Sequence, residues 1–297
     1  MKHLIKCMFT AILLMAITIT YKDEVRAQKN LMPDGTYFDA EYFADTNPNI
    51  ASYFGSDEDT LFKYYSRYGR MQGMKAYDDG VRCLIVIGDS RVCGLLCTLM
   101  RSDDIETVST FVKDNGKYMS GIFRDDNLWL VLSGEMSGRL SRDSYDNSVK
   151  TVKNIISHDV GLGHIKNYTF VNMYGINDLY HNPSNAMNYP PRYMAKNKDI
   201  ANSFDYCGRF FQLNIGPIDE RGIVYKRGFR NQYIETYNTG FVTDEDVTVI
   251  DLYGFLTSNG YNAILDIETT DHTGLHYDDP TNFDIYDMIK KDVMNIE

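Results

Sequence analysis

The sequence predicts an α/β protein: a three-layer α/β/α domain on a parallel sheet, preceded by a small helical module. Three observations lead there. From residue 81 onward, short β-rich apolar runs alternate with segments of helical periodicity, the order that strand–helix–strand units produce. The runs are continuous rather than alternating in polarity, as in strands covered on both faces. Residues 28–77 carry a different pattern, short, amphipathic and punctuated by glycine. At 297 residues the chain can hold one large domain with a small companion, and its 43% hydrophobic and 24% charged content excludes disordered, collagen-like and multi-span membrane classes.

The N-terminus reads as a secretion signal over residues 1–27. Lys2 and Lys6 form a basic start, Met8 to Thr20 is apolar apart from threonines, and Val25-Arg26-Ala27 offers small residues for cleavage. That stretch is shorter than the roughly 20 residues a spanning helix needs, so no integral span is expected after processing, with an uncleaved interfacial anchor as the alternative. A secreted or cell-surface protein is expected. The full chain carries a net charge of −11, and cleavage would remove more basic than acidic residues, which disfavours electrostatic binding to nucleic acid or an anionic membrane. Twenty-three Tyr and 15 Phe against one Trp suit a sugar or other polar-ligand surface.

In residues 28–77, Met32-Pro33-Asp34-Gly35 is a turn, and Phe38 to Ala44 and Asp57 to Tyr68 are helical patterns. From residue 78 a larger domain is expected. Its strands are Val81 to Ile87, Leu128 to Leu132, Thr169 to Tyr174, Phe210 to Ile215 and Val247 to Leu252. Helices are expected after Ser90, across Asp143 to Ser157 and across Phe229 to Asn238. Asp279-Pro280 opens a terminal helix with Phe283, Tyr286, Ile289 and Val293 on one face. Of Cys83, Cys93, Cys97 and Cys207, the first lies inside an apolar run and Cys93 and Cys97 would share a helix face as buried small side chains, so no disulfide framework is expected. With no CxxC or HExxH, neither a metal nor a cofactor is expected.

In parallel α/β sheets chemistry gathers at the carboxyl ends of the strands. There the sequence places Gly88-Asp89-Ser90-Arg91, Ser133-Gly134 and Gly175-Ile176-Asn177-Asp178, with Gly274-Leu275-His276-Tyr277 just ahead of the last helix. Ser90, at a strand-to-helix turn, meets backbone amides and a helix dipole that favour negative charge. This order of blocks resembles the SGNH (GDSL-like) hydrolases over nearly all of residues 81–297. A closer likeness is to secreted SGNH proteins of Gram-positive gut bacteria, through Gly-Asp-Ser-Arg, Asn214 and Pro217, and Gly274-Leu275-His276-Tyr277. Phe38 to Tyr42, Asn47-Pro48 and Tyr68-Gly69-Arg70 resemble a helical repeat of surface proteins from the same bacteria, which leaves residues 28–77 as either a cell-wall glycan docking module or a spacer.

The resemblance implies a flavodoxin-like sheet and an acyl-enzyme mechanism. Ser90 is the nucleophile, His276 the base, and the backbone amides of Ser90 and Gly134 with the side-chain amide of Asn177 form the oxyanion hole. Gly121 and Gly138 are rivals to Gly134, and His272 to His276. Arg91 is a candidate substrate contact or a solvent-exposed helix-start residue, and Asp178 a loop brace. The family places an aspartate three residues before the histidine, where this chain has Thr273, which cannot carry the charge that stabilises an imidazolium. Either Asp271 substitutes or the site is a Ser–His dyad. The expected activity is an exported esterase removing acyl groups, above all acetyl, from a carbohydrate. The alternatives are a catalytically weak glycan-binding protein and a glycan O-acyltransferase.

Overall fold

The computed structural model describes residues 30–72, 74–77, 82–159, 162, 165, 167–204, 207–264 and 273–294. The expected signal at 1–27 lies outside them. The chain divides into two compact units, one ending at Asp79 and one beginning at Gly80.

In the first unit, strands β1 (Asn30–Leu31) and β2 (Tyr37–Phe38) pair antiparallel around the Met32 to Gly35 turn, where Gly35 takes φ +81°. Helix α1 (Ala40–Thr46) starts later than the Phe38 expected from periodicity, because Phe38 belongs to β2 and the Asp39 side chain caps the helix through the Tyr42 amide. Helix α2 (Pro48–Phe54) opens on proline, and α3 (Glu58–Tyr64) is capped by Asp57. Phe38, Phe43, Leu61 and Tyr65 form the unit's own core, with the Phe38 and Phe43 rings 5.3 Å apart.

The second unit is built on a seven-stranded sheet. Strand β3 (Arg82–Gly88) leads into helix α4 (Ser90–Met100). Strands β4 (Glu106–Lys113), β5 (Tyr118–Asp125) and β6 (Leu128–Glu135) follow, then α5 (Ser144–His158) and β7 (Tyr168–Asn172). Next come α6 (Ile176–His181), α7 (Tyr189–Ser203), β8 (Cys207–Leu213), α8 (Ile223–Lys226) and α9 (Asn231–Asn238). Strand β9 (Val247–Ile250), α10 (Leu252–Asn259) and α11 (Asp279–Met294) complete the unit.

The spatial order is β4-β5-β6-β3-β7-β8-β9. From β6 to β9 all neighbours are parallel, and among these five the chain order is 2-1-3-4-5, a doubly wound arrangement with its switch point beside β3. β3 is central and buried from Cys83 onward. Its Leu84 and Val86 pack under α4, α10 and α11, and its Cys83, Ile85 and Ile87 under α5, α6, α7 and α9. Burial on both faces is why the run reads as unbroken apolar sequence.

The expected parallel sheet forms the body of the unit, with one departure at its edge. β4 and β5 form a hairpin that joins β6 antiparallel at the edge, so the sheet is mixed. β4 is almost wholly exposed and therefore lacks an apolar run, yet Asp114, Asn115 and Gly116, at φ +50°, +55° and +87°, make its turn. The expected strand to Leu252 stops at Ile250, because the Asp251 side chain takes the Gly254 amide and starts α10. The cap of α11 is Asp278, which accepts from the Thr281 amide at 3.0 Å, one residue before the expected Asp279.

Candidate active site

Strand β3 delivers Ser90 through a turn that only glycine permits. A Cβ on Gly88 would stand 2.4 Å from Val92 Cγ2 and 3.1 Å from Met173 Cβ. Asp89, in an extended conformation, caps α4 by accepting the Arg91 amide at 3.1 Å, and Ser90 is the first helical residue, 8% exposed. Its hydroxyl therefore sits at the positive end of an eleven-residue helix. His276 Nε2 lies 2.6 Å from Ser90 Oγ, within hydrogen-bond reach across 186 positions of sequence.

The histidine reaches that place on a braced segment. Ala263 and Tyr277 form an antiparallel bridge, and the Ile264 amide donates to His276 O at 2.9 Å. Gly274 turns the chain at φ +73°, where a Cβ would meet Asp219 O at 2.9 Å. A Cβ on Gly222 would stand 2.4 Å from Thr273 O, so the two backbones are in direct contact. Pro217 O accepts the Tyr277 hydroxyl at 2.8 Å. Asn214 braces the turn after β9, donating to Asp251 and accepting the Tyr253 amide.

Arg91, expected at the substrate or in solvent, is in neither place. It is 4% exposed, and its guanidinium donates to Leu275 O at 2.9 Å, Gly216 O at 3.0 Å and Pro217 O at 3.1 Å while lying over the Tyr277 ring. A residue next to Ser90 thus holds a residue next to His276. The sequence reading missed this, since carbonyl partners leave no mark on side-chain identity.

Gly134 is the penultimate residue of the neighbouring strand, in register with Gly88. A Cβ there would lie 2.8 Å from Cys93 Sγ and 3.1 Å from Asp89 O, so its backbone touches the first turn of α4. The rival Gly121 faces Phe123 and Leu96, and Gly138 faces Glu135 and Tyr174. Asn177 lies in the first turn of α6, after Gly175 at φ +142°, and is 5% exposed. Its Nδ2 is buried with no hydrogen-bond partner among the described residues, an amide donor left unspent. Asp178 braces instead, accepting the Leu140 amide at 3.0 Å and the Tyr193 hydroxyl.

Burial pushes the Asp89 carboxyl up to about 6, against the pull of the Arg91 charge. Burial likewise pushes the Cys93 thiol up to about 12, so it is no nucleophile near neutral pH. The Thr273 hydroxyl accepts the Leu275 amide at 3.2 Å. Asp271 and His272, named as alternative acid and base, lie outside the described residues. Among the described residues no group of three or more His, Cys, Asp or Glu could hold a metal, and no helix is long and apolar enough to cross a membrane. Neither protein-family models nor curated proteins give a match to this chain.

Proposed function

We propose that the chain is a serine esterase of the SGNH type, acting through an acyl-enzyme on Ser90. The observation that carries this is the 2.6 Å approach of His276 Nε2 to Ser90 Oγ at the N-terminus of α4. A hydroxyl is a weak nucleophile until a base takes its proton, and an imidazole at this distance can do so as Oγ attacks an ester carbonyl. The carbonyl oxygen then gains negative charge. The Ser90 and Gly134 amides and the unspent Asn177 Nδ2 are the donors that would receive it. Collapse expels the alcohol, which takes the proton from His276. Water, activated by the same imidazole, attacks the acyl carbonyl, and collapse of that second oxyanion releases the acid and frees Ser90.

The strand order supports the family reading, because β3 lies at the switch point and its carboxyl end is where such sheets bind ligands. A binding-only protein would have no use for a serine aligned on histidine, so the contact favours the enzyme. An acylated carbohydrate outside the cell is the proposed substrate, on the strength of the N-terminal signal pattern and tyrosine-rich composition. A serine-reactive fluorophosphonate tests the mechanism. Wild type should label, and Ser90→Ala and His276→Ala should each abolish labelling. Asn177→Ala should slow ester turnover on the order of 10²- to 10³-fold, the usual loss for one oxyanion donor. Labelling that persists in Ser90→Ala overturns the assignment.

A further inference from the structure

Between the β4–β5 hairpin and helix α5 runs a cleft of about 550 Å³, a size that holds a small ligand. Its floor is a row across three strands, with Phe111 opposite Ser120 and Ser120 opposite Ser133. One wall is the α5 face carrying Asn147, Thr151, Asn154 and His158. Gly134, whose backbone touches the first turn of α4, is among its lining residues, so the cleft shares that residue with the proposed oxyanion site, while Ser90 and His276 do not line it.

We propose that this cleft seats an anionic sugar segment of the acylated substrate, an inference that rests on the esterase reading and names its substrate class. The charge of the lining favours an anion. Lys113 and Lys150 line the cleft, no Asp or Glu does, and neither lysine is ion-paired among the described residues, in a chain of net charge −11. Lys63, Lys153, Lys226 and Lys291 are likewise without an ion pair among the described residues, but Lys113 and Lys150 share one cleft whose lining holds no carboxylate. Two cations on different walls of one cleft, with no carboxylate between them, make it a place for an anion.

Met119 and Ile155 also line the cleft, but its hydroxyls and amides favour a sugar over an acyl chain. A hydrocarbon laid in the cleft would strip water from the Ser120 and Ser133 hydroxyls and the Asn147 and Asn154 amides and give them no partner, a cost of about 1–3 kcal/mol for each group left unpaired. Sugar hydroxyls pair with them instead. Phe111, 44% exposed, offers an aromatic face to the apolar side of a pyranose ring. The anionic group, a uronate carboxylate or a glycan phosphate, falls between the two lysines.

The test separates binding from chemistry. Full-chain Ser90→Ala, which cannot turn substrate over, is titrated calorimetrically with three oligosaccharides of equal length: a uronate-containing one, a phosphate-bearing one and a neutral one. At least one anionic ligand should bind about tenfold more tightly than the neutral one, an advantage lost on adding Lys113→Glu and Lys150→Glu, since two partly screened ion pairs are worth on the order of that factor. The stronger anionic ligand identifies the source of the charge. Adding Arg209→Glu and Lys291→Glu, an equal charge change within the same unit, on β8 and on the helix packed against the opposite face of the sheet, should leave binding intact. Equal affinity for all three sugars, or equal loss with both charge-reversed pairs, overturns the proposal. Fluorophosphonate labelling of wild type reports the esterase reading separately: labelling without anionic preference sinks the cleft assignment alone, and preference without labelling sinks the esterase.

Discussion

The guanidinium of Arg91 joins the residue after the proposed nucleophile to the residue before the proposed base, through Leu275 O, and to the 216–217 turn through two further carbonyls. A lysine ammonium is a point donor and cannot span carbonyls that a planar fork reaches with three nitrogens. Arg91→Lys should therefore leave buried carbonyls unmet and cost about 1–3 kcal/mol of stability. As a positioning change it should also lower kcat for a small aryl ester more than about tenfold with little change in KM, because loosening a reacting pair by an ångström is costly. An unchanged kcat in the folded variant would reduce Arg91 to a structural clamp. Thr273 yields a second test. Its hydroxyl already closes a turn onto the Leu275 amide, and an aspartate carboxylate would close the same turn, so Thr273→Asp should alter the labelling rate by no more than about twofold. A tenfold rise would show that the imidazole takes its carboxylate from position 273. The approach of Ser90 to His276 was legible because Ser90 opens the helix that follows a strand and His276 stands just before the last helix, and Asn177 was singled out by the same logic in the first turn of α6. The role of Arg91 was not legible, since its partners are backbone atoms 125 and more positions away.

At the scale of the element, the N-terminus of α4 contains a built-in cost. Asp89 is fully buried, and one of its oxygens has no partner among the described residues. Its folded-state pKa stands raised from 3.8 to about 6, so the folded chain holds this proton more tightly than the unfolded one. The stability tied to that proton is complete below about pH 3.8 and is lost as pH rises through about 6, a difference of about 3 kcal/mol at 1.36 per pKa unit. Asparagine caps a helix as well as aspartate does and carries no charge. Thermal melts of Asp89→Asn should show a gain over wild type at pH 8 that disappears at pH 4. An equal gain at both would show that ionisation is not the cause. The strands divide by the same logic of burial. β3, β6, β7 and β8 were legible because their buried segments left apolar runs, and β9 through its β-branched Val-Thr-Val-Ile although only Val247 is buried, whereas exposed β4 left only alternation and a turn, and with it the hairpin that walls the proposed sugar cleft went unread.

For the whole molecule, the question is what residues 28–77 contribute. The first unit closes its own core around Phe38, Phe43, Leu61 and Tyr65, and the second packs two independent clusters, one on each face of its sheet. Ser90, Gly134, Asn177, His276 and the braces that hold them all belong to the second unit. A chain beginning at residue 78 should thus lose neither core nor site. Its calorimetric unfolding should remain a single cooperative transition, with a midpoint within a few degrees of the corresponding full-length transition, since a unit that buries its own apolar surface draws its stability from it. Hydrolysis of a small aryl ester should proceed at the full-length rate, because every proposed donor and base remains. Activity on an insoluble acylated glycan is where the two should part if residues 28–77 dock a cell-wall polymer, since losing a second attachment point lowers effective concentration without touching the chemistry. Loss of aryl-ester turnover with an intact melt would show that the first unit completes the site, and would sink the reading of the chain as one catalytic unit with an accessory.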